Sequence, residues 1–240
     1  MSSERSELTQ AQQQLLARGL EQLGLDLPDA ASSAIELHLS LVQKWRSKIN
    51  LVSFAAPEEL ITHHALDSLA LLPYIEQSRQ VLDIGTGAGF PGMLLAAVRP
   101  ETHFTLLDSR RRRIEFLRLV NARMGLKNIA FECARVEEIS RPRRTTPENS
   151  EHLAYSAVQA AAKFDTLVAR AVASLDQLVQ MAAPLRFAGQ RLIAMKGQYP
   201  HDELEALEAN YSEQIARVSV DAIEVPFLDA KRHAVIIEYR

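Results

Sequence analysis

Three alternating glycines between two apolar runs mark the part of the chain best suited to chemistry. Gly85, Gly87 and Gly89 stand in the stretch DIGTGAGFPG, after the apolar run VLDI and before the helical pattern PGMLLAAVR. Glycine reaches backbone angles that other residues avoid, so such a loop can turn tightly against a ligand. Because the loop lies between a predicted strand and a predicted helix, it has the setting of a nucleotide-binding loop.

The residues around the glycines distinguish among nucleotide ligands. No G-K-S/T sequence follows the loop, which excludes a P-loop. The dinucleotide fingerprint has a different glycine spacing and places a pyrophosphate at the helix N-terminus. Here Pro91 and Gly92 follow at once, and proline removes an N–H that a phosphate would require. A cofactor without phosphate fits better, and the pattern favours S-adenosyl-L-methionine.

A second acid supports an adenosine ligand. Asp108 ends the next apolar run, HFTLLD, 19 residues beyond Gly89. A carboxylate after the second strand can accept hydrogen bonds from both ribose hydroxyls. The alternative is that Asp108 caps the helix that begins in SRRRRIEFL. Loop and acid occur together at the spacing of a βαβ unit, which favours ribose binding.

The elements that would position these residues alternate between strand and helix. Short apolar runs predict strands at VLDI, HFTLLD, IAFECA, FDTLVARA and GQRLIAMKG, with helical patterns between most of them. Such alternation indicates βαβ units and a parallel sheet covered by helices. The last two runs, QIARVSVDAIEV and RHAVIIEYR, have no helix between them and predict an antiparallel pair at the sheet edge.

The beginning of the chain has a different, all-helical pattern. Leu8–Leu23 and Ser33–Lys48 show amphipathic spacing, and a further helical stretch precedes the first strand. We therefore expect an N-terminal helical extension, 1–76, and a cofactor-binding domain, 77–240. Within that domain, residues 141–163 open with prolines and polar residues and predict a surface insertion.

Composition restricts the class of protein. The chain has 240 residues, of which 47% are hydrophobic and 24% are charged, as is ordinary for a soluble globular protein. Its single cysteine, Cys133, permits no intrachain disulfide, and a buried, unreactive thiol is expected in the run IAFECA. We expect a cytoplasmic protein without a metal site and, since no apolar run reaches the length of a membrane span, without a membrane partner.

The net charge of −3 hides an uneven distribution. Residues 110–144 contain 11 Lys or Arg against 4 Asp or Glu, whereas residues 201–229 contain 8 acids against 1 base. This asymmetry suits a protein that docks one face on a polyanion. The alternative, that both segments are solvated helix faces, is equally compatible with the sequence.

Further motifs match one family nearly from end to end. KWRSKINLVS, HHALDSL, the glycine loop with its second strand, RVEE, ARAVASL, MKG and LDAKRHAVIIE follow one another in the family's order. The chain resembles the RsmG (GidB) family of bacterial 16S ribosomal RNA guanine-N7 methyltransferases. The resemblance implies a class I, Rossmann-like α/β fold with a mostly parallel seven-stranded sheet and an antiparallel C-terminal strand. It also implies methyl transfer from S-adenosyl-L-methionine to N7 of a guanine, with 16S rRNA or a small-subunit ribosomal particle as partner.

The same resemblance implies the cofactor contacts. Carried over motif by motif, they fall on Gly85, Phe90, Val136, Glu137 and Arg170, to which the spacing argument adds Asp108. Phe90 and Val136 would bracket the adenosine, and Arg170 would face the reacting centre or the target. These positions follow predicted parallel strands, at the carboxyl ends where open α/β sheets bind ligands.

Methylation at guanine N7 needs no general base, since N7 carries a lone pair and no proton. The enzyme must instead align N7, methyl carbon and sulfur and exclude water, so no catalytic residue is assigned. A methyltransferase for a small metabolite and a cofactor-binding protein without activity are the alternatives. The basic stretch and the absence of an evident base favour RNA, and the intact loop with Asp108 argues against a binder without activity.

Two further groups of charged residues have open interpretations. His63 and Asp67, four residues apart in THHALDSL, could hold a metal, but a hydrogen-bonded pair in helix packing is favoured. For this segment, which includes His64, the family resemblance suggests a wall of the substrate pocket. Lys196, at the end of the fifth predicted strand, could hold a target phosphate or pair with a nearby acid.

Overall fold

The computed structural model describes residues 8–139 and 164–240, so the insertion predicted at 141–163 lies outside the described residues. Seven strands are described: β1 (Gln80–Ile84), β2 (His103–Leu107), β3 (Ile129–Glu132), β4 (Thr166–Arg170), β5 (Arg191–Lys196), β6 (Ile215–Ile223) and β7 (Arg232–Tyr239). They form a sheet in the order β3-β2-β1-β4-β5-β7-β6.

The strand directions confirm the expected fold class. Strands β1 to β5 run parallel, and β7 is antiparallel to both of its neighbours, β5 and β6. This is the mostly parallel, Rossmann-like sheet with an antiparallel C-terminal strand. The strand order reverses between β1 and β4, which is where an open α/β sheet leaves a ligand crevice at its carboxyl edge.

Helices precede the sheet, as the amphipathic pattern predicted. They are α1 (Gln10–Gln22), α2 (Asp29–Ile49), a π-helix (Leu60–Leu66) that continues as α3 (Asp67–Leu69), and a 3₁₀ turn (Leu72–Ile75). Thr9 and Gln12 form a capping box that starts α1, because each side chain accepts a hydrogen bond from the other residue's backbone N–H. Helix α2 ends at Asn50, whose left-handed backbone breaks the helical repeat.

The remaining described helices follow individual strands. They are α4 (Gly92–Val98), α5 (Arg111–Met124), α6 (Val136–Ile139), α7 (Leu175–Ala182), which runs into a 3₁₀ turn (Ala183–Leu185), and α8 (His201–Tyr211). Helix α5 ends at Gly125, whose left-handed backbone conformation terminates the helix. No helix in the two described ranges is long and apolar enough to cross a membrane.

Two apolar clusters cover the two faces of the sheet. The first joins Leu39 and Leu66 of the N-terminal helices to Leu94 of α4 and Phe104 of β2. The second packs α7 and α8 against the opposite face and includes buried Leu178. The division of the chain after residue 76 stays a prediction. The N-terminal helices share their core with the sheet, and this brings their polar side chains to the sheet's carboxyl edge.

The expectation of a buried thiol at Cys133 is wrong. Strand β3 is at the edge of the sheet and its pairing with β2 ends at Glu132. Cys133 is therefore the first residue of the turn that leads to α6, and it is exposed. Its Sγ lies 3.9 Å from the carbonyl oxygen of Ser109.

Candidate active site

The loop after β1 uses backbone conformations that glycine adopts most readily. Gly85, Gly87 and Gly89 have φ angles of 69°, 59° and 95°, all in the left-handed region. A Cβ on Gly85 would lie 2.9 Å from Cγ2 of Val172, in the segment after β4. A side chain at Gly85 would therefore both strain the backbone and crowd the space between the two strand ends.

Asp83 fixes the far end of the same loop. Its buried Oδ2 accepts a hydrogen bond from the backbone N–H of Gly92 at 2.9 Å. A Cβ on Gly92 would lie 2.5 Å from that oxygen, so only glycine permits the contact. Burial raises the pKa of Asp83 to about 6. Through its hydrogen bond with Gly92, Asp83 holds the start of α4 in place.

Asp108 joins the glycine loop to α5. Its Oδ2 accepts hydrogen bonds from the backbone N–H of Gly87 at 3.1 Å and from Nη1 of Arg113 at 2.9 Å. Its Oδ1 accepts one from the N–H of Arg110 at 2.8 Å. These contacts tie the glycine loop to the start of α5, but they do not make Asp108 the cap of that helix, because the N-cap residue is Arg110 and no side chain caps it. A carboxylate has roughly four acceptor positions, so one remains for a ribose hydroxyl.

A cleft of about 500 Å³ lies beside Asp108 at the carboxyl ends of the first strands. Its lining includes four of the residues predicted to bind the cofactor: Gly85, Asp108, Val136 and Glu137. Arg113, Val172 and Met181, which were not predicted as cofactor contacts, also line it. The volume lies within the range of small-molecule sites.

Phe90 and Arg170 lie outside that lining, in an adjacent cluster that the N-terminal helices complete. The ring of His64 stacks on Phe90 with centroids 5.2 Å apart, and His38 of α2 lies 5.0 Å from the same ring. The guanidinium carbon of Arg170 is 5.5 Å from the centroid of Phe90. The predicted site residues thus form two groups, four in the cleft and two in this aromatic cluster.

Arg170 is held by the segment HHALD. Its Nη1 donates to the carbonyl oxygen of His63 at 3.0 Å and to Oδ2 of Asp67 at 2.8 Å, and its Nη2 lies 3.2 Å from Nδ1 of His64. Burial, together with the charge of Arg170, lowers the pKa of His64 to about 4. The ring is therefore neutral near pH 7, and Nδ1 accepts the hydrogen bond from Arg170.

The structure adds two residues that sequence reasoning missed. Nε of Arg232 donates to Oδ1 of Asp67 at 2.6 Å, so one carboxylate pairs with two arginines. Arg232 stands in the matched motif LDAKRHAVIIE, and that membership was its only signal. His38 is buried in α2 with Nε2 2.7 Å from the carbonyl oxygen of Ala88, and burial lowers its pKa to about 4.

The structure also decides between the interpretations of Lys196. Its Nζ lies 2.7 Å from Oε2 of Glu203 and donates to the carbonyl oxygen of Ala173 at 3.0 Å. Lys196 therefore forms the ion pair rather than presenting a free ammonium group. Across residues 8–139 and 164–240, no group of three or more His, Cys, Asp or Glu is arranged to hold a metal ion.

The sheet order and the glycine loop define a class I methyltransferase fold, and solved structures share it. The METTL16 MTase domain superposes with a TM-score of 0.55 at 14% identity, covering 100% of both chains. Cofactor-bound Rv0187 from MTB gives a TM-score of 0.54 at 16% identity, over 85% of this chain and 89% of that one. Likeness at these identities establishes the fold alone.

Sequence relatives identify the family. The family model described as rRNA small subunit methyltransferase G matches residues 31–235. A relative named Ribosomal RNA small subunit methyltransferase G from Salmonella arizonae is 37% identical over 93% of this chain and 96% of its own length. One of the same name from Escherichia coli O1:K1 is 36% identical over 91% and 94%. The chain belongs to the rRNA small subunit methyltransferase G (GidB) family.

Proposed function

We propose that the protein transfers a methyl group from S-adenosyl-L-methionine to N7 of a guanine in 16S rRNA of the small ribosomal subunit. Family membership carries this proposal, because both the family and its curated relatives are named for methyl transfer to small-subunit ribosomal RNA. A ribosomal substrate also implies a cytoplasmic enzyme. The metabolite methyltransferase remains the competing hypothesis that the experiment below must exclude.

The residues of the cleft fit S-adenosyl-L-methionine. The conformation of Gly85 keeps the space next to Val172 open, and the remaining acceptor position of Asp108 suits a ribose hydroxyl. Buried Val136 offers apolar surface for adenine, and the backbone at Glu137 offers an N–H to its ring nitrogens. When bound, this cofactor supplies an electrophilic methyl carbon on a positively charged sulfur.

The protein's part in the transfer is to bind, to orient and to exclude water. Guanine N7 attacks through a lone pair and loses no proton, so no side chain has to act as a base. Arg170 uses three of its five N–H donors on the HHALD segment, which leaves two for the target. Phe90 supplies the apolar wall next to it, where water would otherwise compete with the nucleophile.

Exposed arginines beside the cleft support a polyanionic partner. Arg110 and Arg112 are exposed at the start of α5. The neighbouring arginines are in ion pairs within the protein, Arg111 with Glu115 and Arg113 with Asp108. Base N7 atoms lie in the deep, narrow groove of an A-form helix. The target guanine is therefore expected in a loop or as a splayed base, presented by a folded particle.

The proposal is tested by mass mapping of modified nucleosides in 16S RNA from cells with and without the gene. We expect one 7-methylguanosine to be missing without it. Purified protein with S-adenosyl-L-methionine should restore that modification on small-subunit particles from the deletion strain. Identical 16S maps from both strains, with efficient methylation of a free guanosine nucleotide, would establish the metabolite alternative instead.

A further inference from the structure

We propose that Asp67 and Arg232 are positioning residues, which act on methyl transfer by fixing Arg170. This inference rests on the proposed function. Neither residue lines the cleft described above. The hydrogen bonds of Asp67 link both residues to Arg170, the side chain that keeps donors for the target.

Asp67 is a buried carboxylate held between two guanidinium groups. Oδ2 lies 2.8 Å from Nη1 of Arg170 and Oδ1 lies 2.6 Å from Nε of Arg232. The side chain of Asp67 is 3% exposed, against 13% for Arg170 and 19% for Arg232. Charge-assisted hydrogen bonds shielded to this degree are strong and directional, and removal of one partner leaves a charge poorly compensated.

The three residues come from different parts of the fold. Asp67 begins α3, Arg170 ends β4, and Arg232 begins β7, which β5 separates from β4. Because β7 is antiparallel to β5, its first residue lies at the carboxyl edge of the parallel strands. The carboxylate thus ties the N-terminal helices to two strand ends at the edge where the cleft opens.

This arrangement constrains where Arg170 points. The HHALD segment holds Nη1 twice and Nη2 once, so rotation of the guanidinium would break three hydrogen bonds. Arg232 holds the second oxygen of the carboxylate that receives one of those bonds. Without Arg232, Asp67 can turn, and Arg170 loses the fixed direction of its remaining donors.

The experiment compares single and double variants in steady-state methyl transfer to small-subunit particles from the deletion strain. We expect Arg232→Ala to lower kcat on the order of 10-fold, the size of a coupled contact, with little change in KM or in cofactor Kd. Arg170→Ala should lower kcat more, and the double variant should be no slower than Arg170→Ala alone. Arg232→Lys and Asp67→Glu should recover part of the rate lost in Arg232→Ala and Asp67→Asn.

Arg99→Gln is the matched control. Arg99 is a partly buried arginine in an ion pair with Glu101, beside the amino end of β2 and away from the cleft. The kcat of the Arg99→Gln variant should stay at the wild-type value. Losses that multiply in the double variant, or an Arg232→Ala enzyme with normal kcat, would overturn the positioning role. If Arg232→Ala fails to fold, the positioning role is tested instead by comparing the kcat values of Arg232→Lys and Asp67→Glu with that of Asp67→Asn. A wild-type enzyme without transfer to particles would instead refute the proposed function.

Discussion

The imidazole of His64 stacks on the ring of Phe90, with centroids 5.2 Å apart. His64 belongs to the helical segment before β1, and Phe90 belongs to the glycine loop after it. His38 of α2 contacts the same ring from another side. The helices at the beginning of the chain therefore form one wall of the candidate site, and a change in them is expected to affect catalysis as well as stability.

Alanine at Gly85 should weaken cofactor binding more than alanine at Gly24. Both glycines have a φ of 69°, so both variants carry about 1–2 kcal/mol of left-handed backbone strain. Only at Gly85 does the added methyl meet a neighbour, since nothing lies within 4 Å at Gly24. We expect Gly85→Ala to raise the Kd for S-adenosyl-L-methionine by about tenfold, or ~1.4 kcal/mol. Titration calorimetry measures this Kd. Equal Kd values for folded Gly85→Ala and Gly24→Ala would contradict the assignment of the cofactor to this loop.

Asp108→Asn should weaken cofactor binding through loss of the charge-assisted hydrogen bond to a ribose hydroxyl. The expected cost is about 1.5–3 kcal/mol in the binding of S-adenosylhomocysteine. Because Asp108 also contacts Gly87, Arg110 and Arg113, the ribose contribution has to be separated. An analogue without the ribose 2′- and 3′-hydroxyls should bind more weakly to the wild type but scarcely more weakly to Asp108→Asn. The same loss with both proteins would assign Asp108 to the loop and α5 alone.

His38 should make the stability of the protein depend on pH. Burial lowers its pKa from 6.5 to about 4, so folding favours the neutral ring. The stabilisation that depends on a neutral His38 is complete above pH 6.5. As the pH falls from 6.5 towards 4, the free energy of unfolding decreases by about 3 kcal/mol in all. The excess stability of wild type over His38→Gln, from urea unfolding at several pH values, should shrink across that window. His64 is present in both proteins and cancels, whereas a difference constant with pH would contradict the assignment.

Periodicity predicted the strands well where they are central and less well at the edge. The run VLDI corresponds to β1, which has partners on both sides. The run IAFECA extended beyond β3, because apolar character does not show where pairing with a single neighbour ends. The exposure of Cys133 follows from that difference and was not available from composition.

Residue spacing predicted the candidate site only where its residues are close in sequence, whereas Val136, Glu137 and Arg170 were assigned through the family resemblance. The glycines, Asp83 and Asp108 belong to one βαβ unit, so their spacing alone brought them together. Asp67 and Arg232 are 165 positions apart and meet only because β7 inserts antiparallel beside β5. No local pattern carries that information, and the division of the predicted residues between the cleft and the aromatic cluster likewise depends on how the N-terminal helices pack.

Arg110 and Arg112 should contribute to binding of the ribosomal particle through their charge. Each phosphate contact releases counterions, so log affinity falls with log salt by roughly 0.7–0.9 per contact. We expect Arg110→Gln with Arg112→Gln to weaken particle binding and to reduce the salt slope by about 1–2, and Arg112→Gln alone, which changes no residue of the cleft lining, to leave the cofactor Kd unchanged. The matched control is Arg79→Gln with Arg217→Gln, which removes the same charge from exposed positions before β1 and on β6. Filter binding between low and physiological salt measures both, and equal losses in the two double variants would show a general charge effect instead of a docking face on α5.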